Sequence, residues 1–331
     1  MSRTHSLSSV ARAAVEKLVS AKTYQEWALN PDEPFACIEC VPATSLSADE
    51  QAAITSLLHA VRSALPGWPA AAQREAQCHC DDLTLLRFVE ARPAGTGAAL
   101  QMFREAMVWR STDQRSVSRI CVDKHYYAPR GPACAAAWDH FYAGFSSFDR
   151  DGFPVFLERL GKVDLSGLAR EGEPLLSCLL DAYVNYMETA FRAVRAASCA
   201  TGEYVKATIV VDTSGFNLSL LRNLNLIKLF ASIGPAYYPE VTHRVLIVNA
   251  PRFATMAWAI LAPMLPKATR DKVSVHSSSA TPAVLKRWFD PWELPTYLGG
   301  TKPDNECRVP FAMQIPPGLS ATLRQGAATP A

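Results

Sequence analysis

The amino-acid sequence predicts an α/β protein, with a helical N-terminal lobe followed by a mostly parallel sheet flanked by helices. Three observations carry that prediction. Between residues 46 and 112, apolar residues recur at helical spacing. From about Trp138 onward, short strand-like runs alternate with longer helical runs, the pattern of βαβ units. One of those runs, Val245 to Val248, is apolar at every position, as a strand covered on both faces would be.

Residues 1–45 read as a divergent extension that ends in the loop "NPDEPFACIECVPATS". Its opening, "MSRTHSLSSVARAAVEKLVSAK", is rich in Ser, Arg and Ala, and its first acid is Glu16. That composition has a faint transit-peptide look. It suits an amphipathic surface helix better.

The helical lobe spans 46–120. Leu46-Ser47 can start a helix whose apolar face is Ile54, Leu57, Leu58, Val61 and Leu65, and Pro66-Gly67 stops it. Asp81 or Asp82 is the natural N-cap of a second helix. A turn from Pro93 to Gly97 leads to a third, with Leu100, Phe103, Met107 and Val108 or Trp109 facing inward.

The sheet domain spans 121–301, with 302–331 as a tail. "FPVFLERLG" is a strand after the turn Asp151-Gly152. The long helix "PLLSCLLDAYVNYMETAFRAVRAAS" follows, then a strand from Ala207 to Val211 in "KATIVVDTSGF". "LIKLFASIGPAYYP" closes a helix, "HRVLIVNAP" is a third strand and "KVSVHSS" a fourth. "TPAVLKRWF" starts a helix at Thr281, with Pro282 at its first position.

Composition narrows the function. The chain has 331 residues, 49% hydrophobic and 19% charged, enough for a sizeable core and against global disorder. A net charge of +2 gives no push toward nucleic acid, so none is expected as a partner. Nine cysteines without framework spacing read as mostly reduced thiols in a cytoplasmic protein. "QCHCDD" lacks the second ligand pair that zinc requires, so no metal is expected. No run of eighteen apolar residues spans a bilayer.

The common enzyme signatures fail. "GTGAAL" follows Arg92-Pro93 rather than a strand, and reads as a turn between helices. "GFSSF" lacks the closing glycine of a nucleophile elbow, and there is no phosphate-binding P-loop. His243 and His276 have no nucleophile nearby in sequence and read as structural. No catalytic residue is assigned, and a non-enzyme is expected.

One helix is anomalous. From Phe253 to Leu265 it carries no charge and is apolar nearly all round, including Met256, Trp258, Ile260 and Leu261. It is too short to span a bilayer. Two readings stand: a core helix, or a movable wall that faces an apolar ligand when shut and a membrane when open.

Taken in order, "DDLTLLRFVEARPA", "MFREAMVWR", "DRDGFPVFLERLGKVDL", "TIVVDTSGF", "YYPEVTHRVLIVNAPRFATMAW", "PMLPKATRDKVSVH" and "LPTYLGG" resemble the CRAL-TRIO lipid-binding family. The similarity covers about Leu46 to Thr301 and is closest to the yeast-type phosphatidylinositol transfer branch. It implies an apolar pocket for two acyl chains and exchange of single lipids between membranes, with bound phospholipid rather than a cofactor. The expected ligand is phosphatidylinositol or a phosphoinositide, with phosphatidylcholine second. Transient, peripheral membrane contact and presentation of lipid to a lipid kinase follow from the same resemblance.

Carried over residue by residue, the resemblance places the inositol head group on Arg92, Glu240, Thr269 and Lys272. A second set of head-group contacts would be Phe156, Asn217 and Ser219. The acyl pocket would take Tyr186, Ile209, Val211, Leu246 and Val248. The gate would be Phe253, Met256, Trp258, Ile260 and Leu261, hinged at Asn249-Ala250-Pro251. The sequence departs from the family at Val241, where an arginine is usual, and at Phe153 and Phe156, where arginine and tyrosine are usual. Two other readings remain open at this point: a non-transferring lipid-sensing or scaffold module that uses residues 1–45, and a carrier of an isoprenoid, sterol or tocopherol-like ligand.

Overall fold

The computed structural model describes residues 9–19, 40–112, 142–162, 173–216, 224–264 and 267–304. The first helix, α1 (Ser9–Val19), is amphipathic, and Ala11 and Val15 are fully buried in the same core as the sheet domain. Its Arg12 donates to Glu293 at 3.1 Å and lies over the Phe148 ring. This part of the extension is therefore packed onto the sheet domain.

The lobe begins with α2 (Ala48–Ala64). Its N-cap Ser47 and Glu50 form a reciprocal capping box, and Ile54, Leu57 and Val61 are buried. Two further helices follow, α3 (Ala70–Cys78) and α4 (Asp82–Ala91). Asp81 caps α4 by accepting from the Thr84 amide at 2.8 Å. The last lobe helix is α5 (Thr96–Thr112), whose Phe103 meets Phe88 of α4 edge to face. Helix α3 was not anticipated, because the run after Pro69 is mostly Ala and Gln and has little apolar periodicity.

The sheet has five strands in the order β1-β2-β3-β4-β5: Ala143–Phe148, Pro154–Glu158, Ala207–Asp212, Thr242–Ala250 and Val273–Ser277. The first pair is antiparallel and the other three pairings are parallel. The crossovers are α6 (Glu173–Thr201), then α7 (Leu224–Tyr237), then α8 (Ala254–Leu261) with α9 (Lys267–Arg270). A last helix, α10 (Thr281–Trp288), begins at Thr281 with Pro282 in its first turn. Strand β1 was missed. All six of its residues are buried, so it shows no alternation.

The strand register corrects the expected acyl lining. Phe156, Ile209 and Val211 face α6, and so do Val245 and Ile247 of β4. Leu246 and Val248 lie on the opposite face, packed with Val155, Val210, Leu285 and Phe289. They cannot line one pocket with Ile209 and Val211. A strand that is apolar on both faces carries no phase in its sequence, and a one-residue slip exchanges the faces.

The uncharged helix is also shorter than expected. Its α-helical part ends at Leu261, and Ala262–Met264 continue as a 3₁₀ turn at Pro263, which has no amide to donate.

A buried ion network fastens the lobe to α6. Arg110 of α5 donates to Glu75 of α3 at 2.6 Å and to both oxygens of Glu188 at 2.8 and 2.9 Å. Arg192 adds a bond to Glu188 at 2.6 Å. Burial would raise the Glu188 carboxyl, and Arg110 followed by Arg192 outweighs it and holds it below the ordinary value. Removing one partner strands buried charge. Arg110→Ala should lose about 3–5 kcal/mol of unfolding free energy by urea denaturation, and a loss below about 1 kcal/mol would contradict this tie.

Candidate functional site

Three parallel strands begin side by side, and each is preceded by a charged residue. Lys206 stands directly before β3, Glu240 two residues before β4 and Lys272 directly before β5. The register pairs Ala207 with Thr242 and Val245 with Val273, which brings the three side chains together. Glu240 Oε2 accepts from Lys206 Nζ at 2.6 Å and from Lys272 Nζ at 2.7 Å.

Glu240 and Lys272 edge a cavity of ≈ 110 Å³, with Lys206 bonded to Glu240 behind them. Arg92, Glu240, Thr269 and Lys272 all line it, so the fold brings the four expected polar residues to one place. The rest of the wall is largely apolar and includes Met187, Tyr238, Val241 and Val245. The space suits a few waters at about 30 Å³ each and is too small for a lipid. Arg92 sits at the end of α4 and donates to the Ala91 carbonyl at 2.9 Å. Among the described residues it makes no ion pair. Thr269 belongs to α9, and its carbonyl accepts from the Lys272 amide.

The electrostatics keep this end charged. Burial would raise the Glu240 carboxyl, but Lys206 and Lys272 outweigh it and hold its pKa below the ordinary value. Burial lowers the Lys272 ammonium, and Glu240 opposes that shift. Lys206 also reaches Glu90 at 3.2 Å, and the Tyr204 hydroxyl donates to the same Glu90 oxygen at 2.8 Å. Three cations, Arg92, Lys206 and Lys272, thus face two carboxylates.

The backbone of Glu240 is unusual, with φ +53° in the left-handed region that side-chain-bearing residues seldom adopt. Arg87 of α4, 1% exposed, holds it. Its Nη1 donates to the Glu240 carbonyl at 2.7 Å, and its Nη2 to the Val205 carbonyl at 2.6 Å and the Ser198 hydroxyl at 3.3 Å. One guanidinium therefore positions the loops ahead of both β3 and β4. Sequence reasoning missed Arg87 and Lys206. Their signals were present: a charge inside the apolar run "LLRFV", and a lysine directly before a strand.

The other expected residues fall elsewhere. Phe156 is fully buried and meets Phe145 and Tyr186 edge to face, away from the polar cavity. Asn217 and Ser219 lie outside the described residues. Tyr186, Ile209 and Val211 share one core beneath α6. In α8, Met256 is 64% and Ile260 46% exposed, so this helix is not buried all round. Trp258 is half-buried, Phe253 stacks on Phe216 with ring centroids 6.2 Å apart, and the Leu261 side chain is outside the described residues. Asn249 also has positive φ, at +54°. Its amide nitrogens are held by Thr281 Oγ1 and by Asp212 Oδ1, both at 2.9 Å. No helix among the described residues is long and apolar enough to cross a membrane.

The family model for the CRAL/TRIO domain matches residues 139–300. A "SEC14 cytosolic factor" of Eremothecium gossypii is 30% identical over 66% of this chain and 69% of its own length. The chain belongs to the CRAL/TRIO family. An Arabidopsis thaliana relative, "Phosphatidylinositol/phosphatidylcholine transfer protein SFH11", is 30% identical over 67% of this chain and 57% of its own length. The solved structure of Sfh5 is similar in fold, with a TM-score of 0.54 and 14% identity over 86% of this chain and 99% of that one.

A second titratable group lies on the α6 face. Burial pushes the Glu158 carboxyl up to about 7, with the Tyr186 hydroxyl pulling the other way. The unfolded chain loses this proton first, near 4.5, so stability from this group falls as pH rises from 4.5 to about 7 and is level above. Glu158→Gln removes that loss. In thermal melts the variant should gain on the wild type by a few degrees across this window. A constant difference would contradict the shift.

Proposed function

We propose that the protein binds one phospholipid with an inositol-phosphate head group and carries it between membranes. The observation that supports this most is the convergence of Arg92, Glu240, Thr269 and Lys272 on one cavity whose remaining wall is largely apolar. Arg92 and Lys272 would neutralise phosphate charge, and Lys206 joins them. Glu240 would accept hydrogen bonds from inositol hydroxyls while holding both ammonium groups in place. Thr269 adds a neutral contact. The names of the relatives point to the same lipid class. Phosphatidylcholine has weaker support, because Phe156 carries no hydroxyl and lies deep in the core.

Energetics favour exchange over tight capture. Burying roughly 30 methylenes from water at about 0.8 kcal/mol each would give about 25 kcal/mol, above the ~18–21 kcal/mol ceiling for non-covalent binding. The lipid starts in a bilayer, however, so its tails trade one apolar medium for another. Net transfer is near balance, and head-group contacts decide which lipid is taken. The exposed Met256 and Ile260 would dock α8 on the bilayer while the pocket opens about Asn249. The reading is of a cytoplasmic carrier, transiently membrane-bound, that turns over no substrate and presents lipid to a lipid kinase.

Transfer of labelled phosphatidylinositol between vesicles tests the reading. Lys272→Ala should slow it about ten-fold or more, the worth of a charge-assisted hydrogen bond. Intact transfer by that variant would sink the head-group assignment. Trp258→Glu should abolish uptake from vesicles and leave the unfolding midpoint unchanged, and normal uptake would refute the gate.

A further inference from the structure

We propose that Cys40 and Cys199 form a thiol–disulfide clasp that sets how firmly the head-group end of the domain is held. Their sulfurs are bonded although the residues stand 159 positions apart, a pairing that spacing alone does not reveal. Cys40 lies near the end of the N-terminal extension and is partly exposed, whereas Cys199 lies in the last turn of α6 and is 2% exposed.

The crossing around the bond is built for close approach. The Val41 amide donates to the Cys199 carbonyl at 2.9 Å. The Thr44 amide and hydroxyl donate to the Gly202 carbonyl at 2.9 and 3.2 Å. Gly202 has φ +70°, and a Cβ there would lie 2.3 Å from the Pro42 carbonyl oxygen, so only glycine fits. The extension passes over the end of α6 in direct backbone contact.

From the bond a short path leads to the site. Ser198 adjoins Cys199, and its hydroxyl accepts from the Val205 amide at 3.1 Å and from Arg87 Nη2 at 3.3 Å. The same Arg87 holds the Glu240 carbonyl at 2.7 Å, and Val205 is followed by Lys206. Opening the clasp frees residues 40–44 and loosens the turn from Ser198 to Lys206. Both ends of the Glu240–Lys206 pair are then less constrained.

A metal reading fits this cluster less well. An Asp81 carboxylate oxygen lies within 4.8 Å of both sulfurs. That carboxylate already accepts from Arg195 at 2.8 and 3.1 Å and caps α4 through the Thr84 amide. A cation there would have to displace a bound guanidinium.

The chemistry is a two-electron exchange with a dithiol reductant. One reductant thiolate attacks the sulfur of Cys40, the more exposed of the two residues, and Cys199 leaves as a thiolate that takes a proton. The second reductant thiol then displaces Cys40 and closes the reductant's own disulfide. Two electrons and two protons pass to the protein.

The functional arm rests on the inositol-lipid reading, and the structural arm does not. The test uses the full chain, oxidised with diamide or reduced with dithiothreitol. Peptide mapping should find a Cys40–Cys199 link in the oxidised form alone. Reduction should raise amide exchange at Thr44 and Val205 by about five-fold or more. It should lower phosphatidylinositol transfer by about five-fold. The double variant C40S/C199S, which keeps the second disulfide at Cys178, should match the reduced wild type in amide exchange at Thr44 and Val205 without any reductant. A link from Cys199 to Cys78 or Cys80 would overturn the proposal. So would one zinc retained per reduced chain, or exchange at Val205 indifferent to redox state. Redox-dependent exchange with no transfer in either state would keep the clasp and overturn the lipid reading, so the two fail separately.

Discussion

One buried guanidinium organises the polar end of this fold. Arg87 projects from the lobe helix α4, inside the run Leu85-Leu86-Arg87-Phe88-Val89, and bonds the carbonyls of Glu240 and Val205 together with the Ser198 hydroxyl. Burial lowers its pKa from the usual arginine value, and Tyr204 and nearby carboxylates work against that shift. The arrangement holds Glu240 in a left-handed backbone state that costs on the order of 1–3 kcal/mol. In return, the Glu240 carboxylate sits between Lys206 and Lys272 at the start of three adjacent strands. Arg87 shares the tie between the helical lobe and the sheet with Glu90, which accepts from Tyr204 and Lys206 on the helix's more exposed side.

The site therefore uses the amino ends of the parallel strands. Many open α/β sheets place ligands at the carboxyl ends. Here the carboxyl ends of β3 and β4 carry a different device, the Asp212–Asn249–Thr281 network that pins the turn into α8. One end of the sheet collects charge and the other a polar network that holds Asn249, with apolar faces between them.

Much of this was legible in the residues. Helical period gave α2, α4, α5 and α6, because apolar residues recur at helical spacing over each segment. Glu240 came into view through the family resemblance, as the acid of "YYPEV". The missing parts have physical reasons. Strand β1 is buried throughout and so shows no alternation. The faces of β4 could not be told apart, because both are apolar and only pairing with β3 sets the phase. Lys206 looks like any solubilising lysine until parallel register sets it beside Glu240. The bond between Cys40 and Cys199 depends on the extension crossing α6, a long-range fact that local spacing does not encode.

The central claim is that this polar end selects an inositol-phosphate head group above an apolar pocket. Native mass spectrometry of the purified full chain tests it most directly, because a carried lipid is weighed with its carrier. The account predicts one adduct per chain at the mass of a phosphatidylinositol, lost in Glu240→Gln/Lys272→Ala. An adduct at the mass of a sterol, isoprenoid or tocopherol, kept in that double variant, would contradict it.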